Sequence, residues 1–362
     1  MNLAQLAEKK VKADGEQVVL YFQDRPITNV EMLEASQRLA GALHEFKVRR
    51  GDRVIIQMPN CPEVLQAFGA VYRLGAVIVP INYLVGDDEI AYIYQDSGAK
   101  VVISSLDFWP KIQSARARAP EMETVILIDR EVPVGTFSYQ ALLAGSEPRE
   151  TIEETSDDDL AVLIYTSGTT GRPKGVMHTH YSLYANARMQ YESVPMPDGL
   201  HFLAVLPLCH SFGIAIMNNG LFRNAESVLL NTFDLETIFR SIEKYRINSM
   251  AGVPTMYVYM LLYPEPQKYD LSSMKYWFSG SAPLALETWK KFKEIFEGEI
   301  IEGWGLTEAG ANNTANPVTG LKKVGSIGLP MKGTEVKIMD DQGRFLESGK
   351  EGEIVIRGPQ IM

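Results

Sequence analysis

The residues best suited to chemistry fall in two short segments. In Thr166-Ser167-Gly168-Thr169-Thr170-Gly171-Arg172-Pro173-Lys174-Gly175, six hydroxyl or glycine residues in a row precede two cations. Glycines let backbone N–H groups turn inward toward an anion. The hydroxyls add donors, and Arg172 and Lys174 add positive charge, a combination that suits a triphosphate. Ordinary polar surface loops use the same residue types, but seldom at this density. A Walker loop is excluded, because it requires Gly directly before Lys and Pro173 stands there. The second segment is Glu302-Gly303-Trp304-Gly305-Leu306-Thr307-Glu308. Its glycines allow backbone close to a planar ligand, and Trp304 offers a stacking face. Thr307 supplies a hydroxyl, and Glu308 is a hard oxygen donor suited to Mg²⁺. Gly303 and Gly305 begin a dinucleotide fingerprint, but Glu308 stands where its third glycine belongs.

Two weaker segments lie between them. Leu206-Pro207-Leu208-Cys209-His210-Ser211-Phe212-Gly213 sets a histidine among apolar residues, which by itself describes a packed core residue as readily as a functional one. Ser279-Gly280-Ser281-Ala282-Pro283 reads as a strand-to-helix turn. Taken in order, the four segments resemble the adenylate-forming superfamily of acyl-CoA synthetases, luciferases and peptide-synthetase adenylation domains. The resemblance extends over the whole chain, to the strand Gly352–Pro359 that resembles the one leading toward the family's hinge.

This resemblance implies a set of roles. Thr166, Ser167, Gly168, Thr169, Thr170 and Gly171, with Lys174, would hold the β- and γ-phosphates of ATP. Ser281 would lie against adenine, with Glu302, Gly303 and Trp304 completing the nucleotide site and Thr307 reaching the α-phosphate. Mg²⁺ would fall to Glu308 and Thr170. His210 would border the reacting carboxylate, and Phe212, Val253, Trp304, Gly305 and Ala309 would shape the acid's pocket. Lys174, His210, Thr307 and Glu308 are thus the implied catalytic set. The implied reaction forms an acyl-adenylate from a carboxylic acid and ATP with loss of pyrophosphate, and then an acyl-CoA with loss of AMP. Two departures are mild: the family often carries Tyr at the place of Trp304, and Gly or Ala at that of Ser281. Its C-terminal lobe, with a ribose-gripping Asp, a hinge Arg and a mobile catalytic Lys, has no counterpart in these residues. The expectation is therefore a large N-terminal domain with little or no turnover alone. A non-catalytic nucleotide- or acyl-adenylate-binding module is the competing reading.

The surrounding pattern must position these segments. Apolar runs at Gln17–Phe22, Arg53–Gln57, Ala76–Pro80, Lys100–Ser104 and Thr124–Ile128 alternate with helical periodicity, which argues for parallel α/β layers. Thr28 with Glu31 forms a capping-box pattern, and Leu39, Leu43 and Phe46 follow on one helical face. After an acidic stretch at 145–159, a second alternating block has strands at Leu160–Tyr165, Phe202–Leu206, Ser227–Leu230, Ser249–Gly252, Tyr276–Ser279 and Glu299–Glu302. Short strands at Glu335–Met339 and Glu353–Arg357 close the chain. The expected architecture is α/β, two stacked α/β subdomains (1–155 and 156–323) with part of a small β-barrel subdomain (324–362).

With 35 basic and 45 acidic residues, the net charge of −10 speaks against nucleic acid as a partner. Two cysteines exclude a disulfide framework and fit a reducing cytoplasm. No secretory signal is expected at residues 1–15, and the uncharged run His201–Phe222, broken by Pro207, His210 and Asn218, reads as core or pocket wall rather than a membrane span. No Asp or Glu lies between Phe202 and Phe222 to pair with a substrate ammonium, so a plain fatty, alicyclic or aromatic acid is expected. The expected partners are that acid, ATP and CoA, and oligomerisation is left open.

Overall fold

The structure, a computed structural model, describes residues 2–82, 85–167, 171–197, 199–223 and 225–362. Two largely parallel sheets flanked by helices carry the fold. The first orders its strands Phe137–Ser138, Thr124–Leu127, Val101–Ser104, Arg53–Gln57, Val77–Pro80, Leu160–Thr166 and Lys174–Thr179. Only the last pairing is antiparallel. The second runs Leu329–Pro330, Thr314–Ala315, Glu299–Trp304, Tyr276–Ser279, Ser249–Gly252, Leu200–Ala204, Ala225–Leu229, Val18–Phe22 and Arg25–Thr28, parallel in its middle and antiparallel at both edges. An antiparallel hairpin of Glu335–Met339 with Glu353–Arg357 is the β element of the third expected unit.

Sheet membership crosses the expected boundary at residues 155/156 in both directions. Leu160–Thr179 completes the first sheet, and Val18–Thr28 completes the second. Pairing across such distances has no local signature; the periodicity gives the strands but not their neighbours.

Local rules explain the helices that frame the site. Thr28 caps Asn29–Glu45 through a full capping box with Glu31, and Leu39 and Leu43 are wholly buried. His180–Ser193 is capped the same way by Thr179 and Ser182. The run His201–Phe222 resolves into a strand and the ten-residue helix Ser211–Gly220. No described helix is long and apolar enough to cross a membrane. Cys61 and Cys209 are both buried and are not joined in a disulfide.

Asn60 joins the two layers. From the first unit it donates to the carbonyls of Leu206 (3.0 Å) and Leu230 (3.1 Å) and accepts from Leu208 N–H at 2.9 Å. The second unit's core is aromatic: Trp277 meets Phe292 edge-on at 5.1 Å, and its indole N–H donates to the Glu297 carbonyl at 2.7 Å. Because Trp277 has no exposed surface, Trp277→Ala is expected to cost about 4 kcal/mol. Urea unfolding would measure this, and a loss below about 1 kcal/mol would show that the site collapses around the gap.

Candidate functional site

The strands that flank the first segment, Leu160–Thr166 and Lys174–Thr179, pair antiparallel. Thr166 and Lys174 are cross-strand partners, so the chain leaves and returns at one place. Gly168, Thr169 and Thr170 lie outside the described residues. Gly171 has φ +96°, a conformation that side chains disfavour, and nothing stands within 4 Å of its missing Cβ. Both flanks of the loop are tied to the helix Asp87–Ser97. The Tyr165 hydroxyl donates to Asp96 at 2.6 Å, the Tyr92 hydroxyl donates to the same carboxylate at 3.1 Å, and the Arg172 guanidinium lies 5.7 Å above the Tyr92 ring. Burial and the Asp96 charge push the Tyr165 phenol up, so it stays a donor.

The second segment ends the strand Glu299–Trp304 and turns through Thr307–Ala309. Gly305 has no room for a side chain, since a Cβ there would fall on the Ala311 carbonyl oxygen. Ala309 and Ala311 N–H groups donate to Leu306 O, and Asn313 N–H donates to Trp304 O, which closes the turn. His180–Ser193 grips it from outside. Asn186 donates to the carbonyls of Ala309 (3.2 Å) and Asn312 (3.0 Å), and Gln190 joins Asn186 to Asn312. His178 Nε2–H donates to Thr307 O at 2.6 Å, which fixes its tautomer. Burial holds the His178 imidazolium down, although the Thr307 carbonyl and the Glu308 charge work the other way.

Thr307 Oγ1 lies 3.1 Å from Ser211 Oγ, at the start of the helix Ser211–Gly220. His210 caps that helix, its Nδ1 accepting from Phe212 N–H at 3.3 Å, and the protein mass around it lowers its pKa. Thr307 therefore connects the strand Lys174–Thr179, through His178, with the His210–Phe212 segment, through Ser211. Glu308 is exposed, and no described residue hydrogen-bonds its carboxylate. Glu302 instead accepts from Gly325 N–H at 3.2 Å.

A cavity of about 140 Å³ opens beside this junction. Phe212, Gly280, Gly303, Phe278 and Ile301 border it, with the Ser249 and Ser279 hydroxyls, both buried and unpartnered among the described residues. Val253 packs into the same apolar cluster as Phe212. Ser281 follows with φ +68°, a strained setting for a residue with a side chain. His210, Val253, Trp304, Gly305 and Ala309 do not border this cavity. Ala309 is wholly buried under the turn, with its carbonyl held by Asn186 and Asn313. Sequence reasoning missed His178, Asn186, Gln190, Ser211, Tyr92 and Asp96. The one available signal was Asn186 and Gln190, two amides four apart on one helix face.

Comparison with known proteins bears on the family and the fold. The family profile described as "AMP-binding enzyme" matches residues 7–362. A long-chain-fatty-acid–CoA ligase of Bacillus subtilis (strain 168) is 32% identical, the alignment covering 96% of this chain and 67% of that protein. A 4-coumarate–CoA ligase of Narcissus pseudonarcissus is 31% identical over 100% of this chain and 66% of its own length. The chain thus spans about two thirds of the curated relatives it matches. A crystal structure of the anthranilate CoA ligase AuaEII in complex with anthranoyl-AMP superposes with a TM-score of 0.95 at 26% identity, over 100% of this chain and 70% of that one. A glycine- and hydroxyl-rich segment between antiparallel strands, a glycine-bound turn ending in Thr-Glu, and a fold and sequence shared with these ligases lead to one assignment: the chain belongs to the AMP-binding enzyme family.

Proposed function

We propose that this chain carries the nucleotide- and acid-binding site of an AMP-forming acid–CoA ligase. The observation that carries this reading is the position of Thr307, bonded on one side to His178, on the strand Lys174–Thr179, and on the other to Ser211, whose chain neighbour Phe212 borders the 140 Å³ cavity. A group there reaches both a nucleotide's α-phosphate and a neighbouring carboxylate. Lys174, with Thr166, Ser167, Gly171 and the residues between them, binds the β- and γ-phosphates. Ser281, Glu302, Gly303 and Trp304 receive the adenosine part.

His210 is held neutral, and its Nδ1 accepts from Phe212, so Nε2 carries the proton and can orient the acid's carboxylate. Little covalent chemistry falls to these side chains, whose work is positioning and charge stabilisation. Among the described residues no cluster of three or more His, Cys, Asp or Glu could hold a metal. Mg²⁺ does not need one, since it takes one or two protein oxygens and keeps phosphates and waters. The exposed Glu308 carboxylate fits that demand, with Thr170 as the proposed second donor. When bound, the ion neutralises charge on the phosphates. Transfer of the acyl group to CoA is proposed for the whole protein, in a reducing cytoplasm.

Acid-dependent exchange of pyrophosphate into ATP, assayed on the whole protein and not on this chain alone, tests the first step. It is expected with at least one member of a panel of fatty, alicyclic and aromatic acids, and Glu308→Gln is expected to lower it about a hundredfold. Nucleotide binding without exchange across the panel would leave a non-catalytic binding module.

A further inference from the structure

Thr307 brings a carbonyl and a hydroxyl to the site, and the structure holds them by different means. The carbonyl is gripped from two sides: His178 Nε2–H donates to it at 2.6 Å, and Gly310 N–H donates to it at 3.1 Å. The next carbonyl, that of Glu308, accepts from Met362 N–H at 2.9 Å. The main chain of this turn is therefore fixed, and the hydroxyl keeps the freedom to rotate. That hydroxyl meets Ser211, with Oγ1 and Oγ 3.1 Å apart across 96 residues of chain.

Serine at the start of a helix ordinarily turns its hydroxyl back on the local backbone. Here that duty falls to His210, which caps the helix Ser211–Gly220 by accepting from Phe212 N–H. Ser211 reaches instead to another segment, and at 5% exposure it has little water to bond in exchange. Thr307 is only half-buried, which leaves one side of it open to a guest. Either oxygen of the pair can donate, and each hydroxyl has one proton. An anionic phosphoryl oxygen can only accept. Such a guest beside Thr307 takes the Thr307 proton, and the Thr307 oxygen is then left to accept from Ser211.

Resting on the reading of this site as one that activates a carboxylic acid with ATP, we propose that Ser211 is a positioning residue for Thr307. Its hydroxyl donates to Thr307 Oγ1 and so aims the Thr307 proton at a non-bridging oxygen of the α-phosphate. Hydrogen bonds ordered in one direction polarise one another, which makes Thr307 a stronger donor than a lone hydroxyl. With the direction reversed, the lone pairs of Thr307 would face the phosphate and repel it. The benefit is greatest as the acid's carboxylate adds to phosphorus and negative charge gathers on that oxygen. Ser211 therefore acts on turnover more than on nucleotide binding.

Pyrophosphate exchange by the whole protein tests the relay, compared among the parent, Ser211→Ala, Thr307→Val and the double variant. Ser211→Ala is expected to lower kcat about tenfold and to move KM for ATP by less than about twofold, with the urea midpoint unchanged. In the Thr307→Val background the same substitution is expected to cost nothing further, because the group it acts through is gone. ATP bearing sulfur at one non-bridging α-position supplies a chemical readout. Sulfur accepts hydrogen bonds weakly, so one of the two diastereomers is expected to react about tenfold more slowly than ATP with the parent, and nearly as fast as ATP with Ser211→Ala. Parent-like exchange by Ser211→Ala overturns the relay. A loss of equal size in the Thr307→Val background does the same, as does an equal sulfur effect in parent and Ser211→Ala. Absence of exchange by the parent with every acid of the panel would instead sink the underlying reading of the site, and the role of Ser211 with it.

Discussion

Gly305→Ala is expected to lower nucleotide affinity about a hundredfold and to destabilise the chain by about 3 kcal/mol. The cause is steric and local. A methyl group at Gly305 would occupy the position of the Ala311 carbonyl oxygen, and the Ala311 carbonyl carbon and the Asn312 nitrogen lie close behind it. Backbone cannot yield as a flexible side chain would. The turn is already committed by hydrogen bonds from Ala309 and Ala311 to Leu306 and from Asn313 to Trp304. It also carries strain, with Ala311 at φ +80°. Relief requires the Thr307–Glu308 turn to move away from His178 and Ser211, which misplaces the groups proposed to meet the nucleotide. Gly280→Ala is the contrast: its new Cβ would lie 3.4 Å from the Phe212 ring, an ordinary contact, so nucleotide affinity should change little. Nucleotide titration and urea unfolding of the two variants would measure both effects. Parent-like nucleotide binding by Gly305→Ala would remove the steric argument.

Acidification supplies the second large effect, through His180. Its ring is wholly buried, packed edge-on to Tyr72 at 5.4 Å, and neither nitrogen has a partner among the described residues. Burial lowers its pKa from 6.5 to about 4. The unfolded chain therefore binds a proton near pH 6.5 that the folded chain refuses until about pH 4. Stability is complete above the unfolded value and is lost as pH falls through this window, by about 3 kcal/mol. His178, also lowered by burial, adds in the same direction. His180→Phe keeps a ring against Tyr72 and removes the titration. The difference in urea stability between parent and variant should therefore shift by about 3 kcal/mol between pH 7 and pH 4, with the carboxylates cancelling. Parallel curves would rule out His180 as the source.

Much of this was legible in the residues. Arg53–Gln57, Ser249–Gly252, Tyr276–Ser279 and both strands of the final hairpin form at the bounds their apolar patterns predict. Apolar content and edge glycines are local properties, and a strand buried on both faces needs little else. The strand expected at Phe202–Leu206 forms instead at Leu200–Ala204. The apolar run continues through Leu208, but there the backbone leaves the ladder, because Asn60, far away in the chain, takes the Leu206 carbonyl and the Leu208 N–H. The site divides in the same way. Thr166–Lys174 and Gly303–Glu308 announce themselves by residue type and spacing. His178, Asn186 and Asp96 do not, because their work is to hold another segment's backbone or side chain, and that partner is set by the tertiary fold.

The exchange of strands between the two sheets also sets an order of assembly. Leu20 pairs with Ser227, so Val18–Phe22 gains its parallel neighbour only after the chain through Ala225–Leu229 has been made. Arg25–Thr28 can fold back on it as a hairpin in the meantime, but two strands alone are only marginally stable. The first sheet can close as soon as Lys174–Thr179 has emerged. Completion of the second sheet thus includes a long-range, entropically slow pairing of Val18–Phe22 with Ala225–Leu229. A gene split between residues 155 and 156 would produce two halves that each lack strands held by the other. Recovery of nucleotide binding would then require both halves to be expressed together.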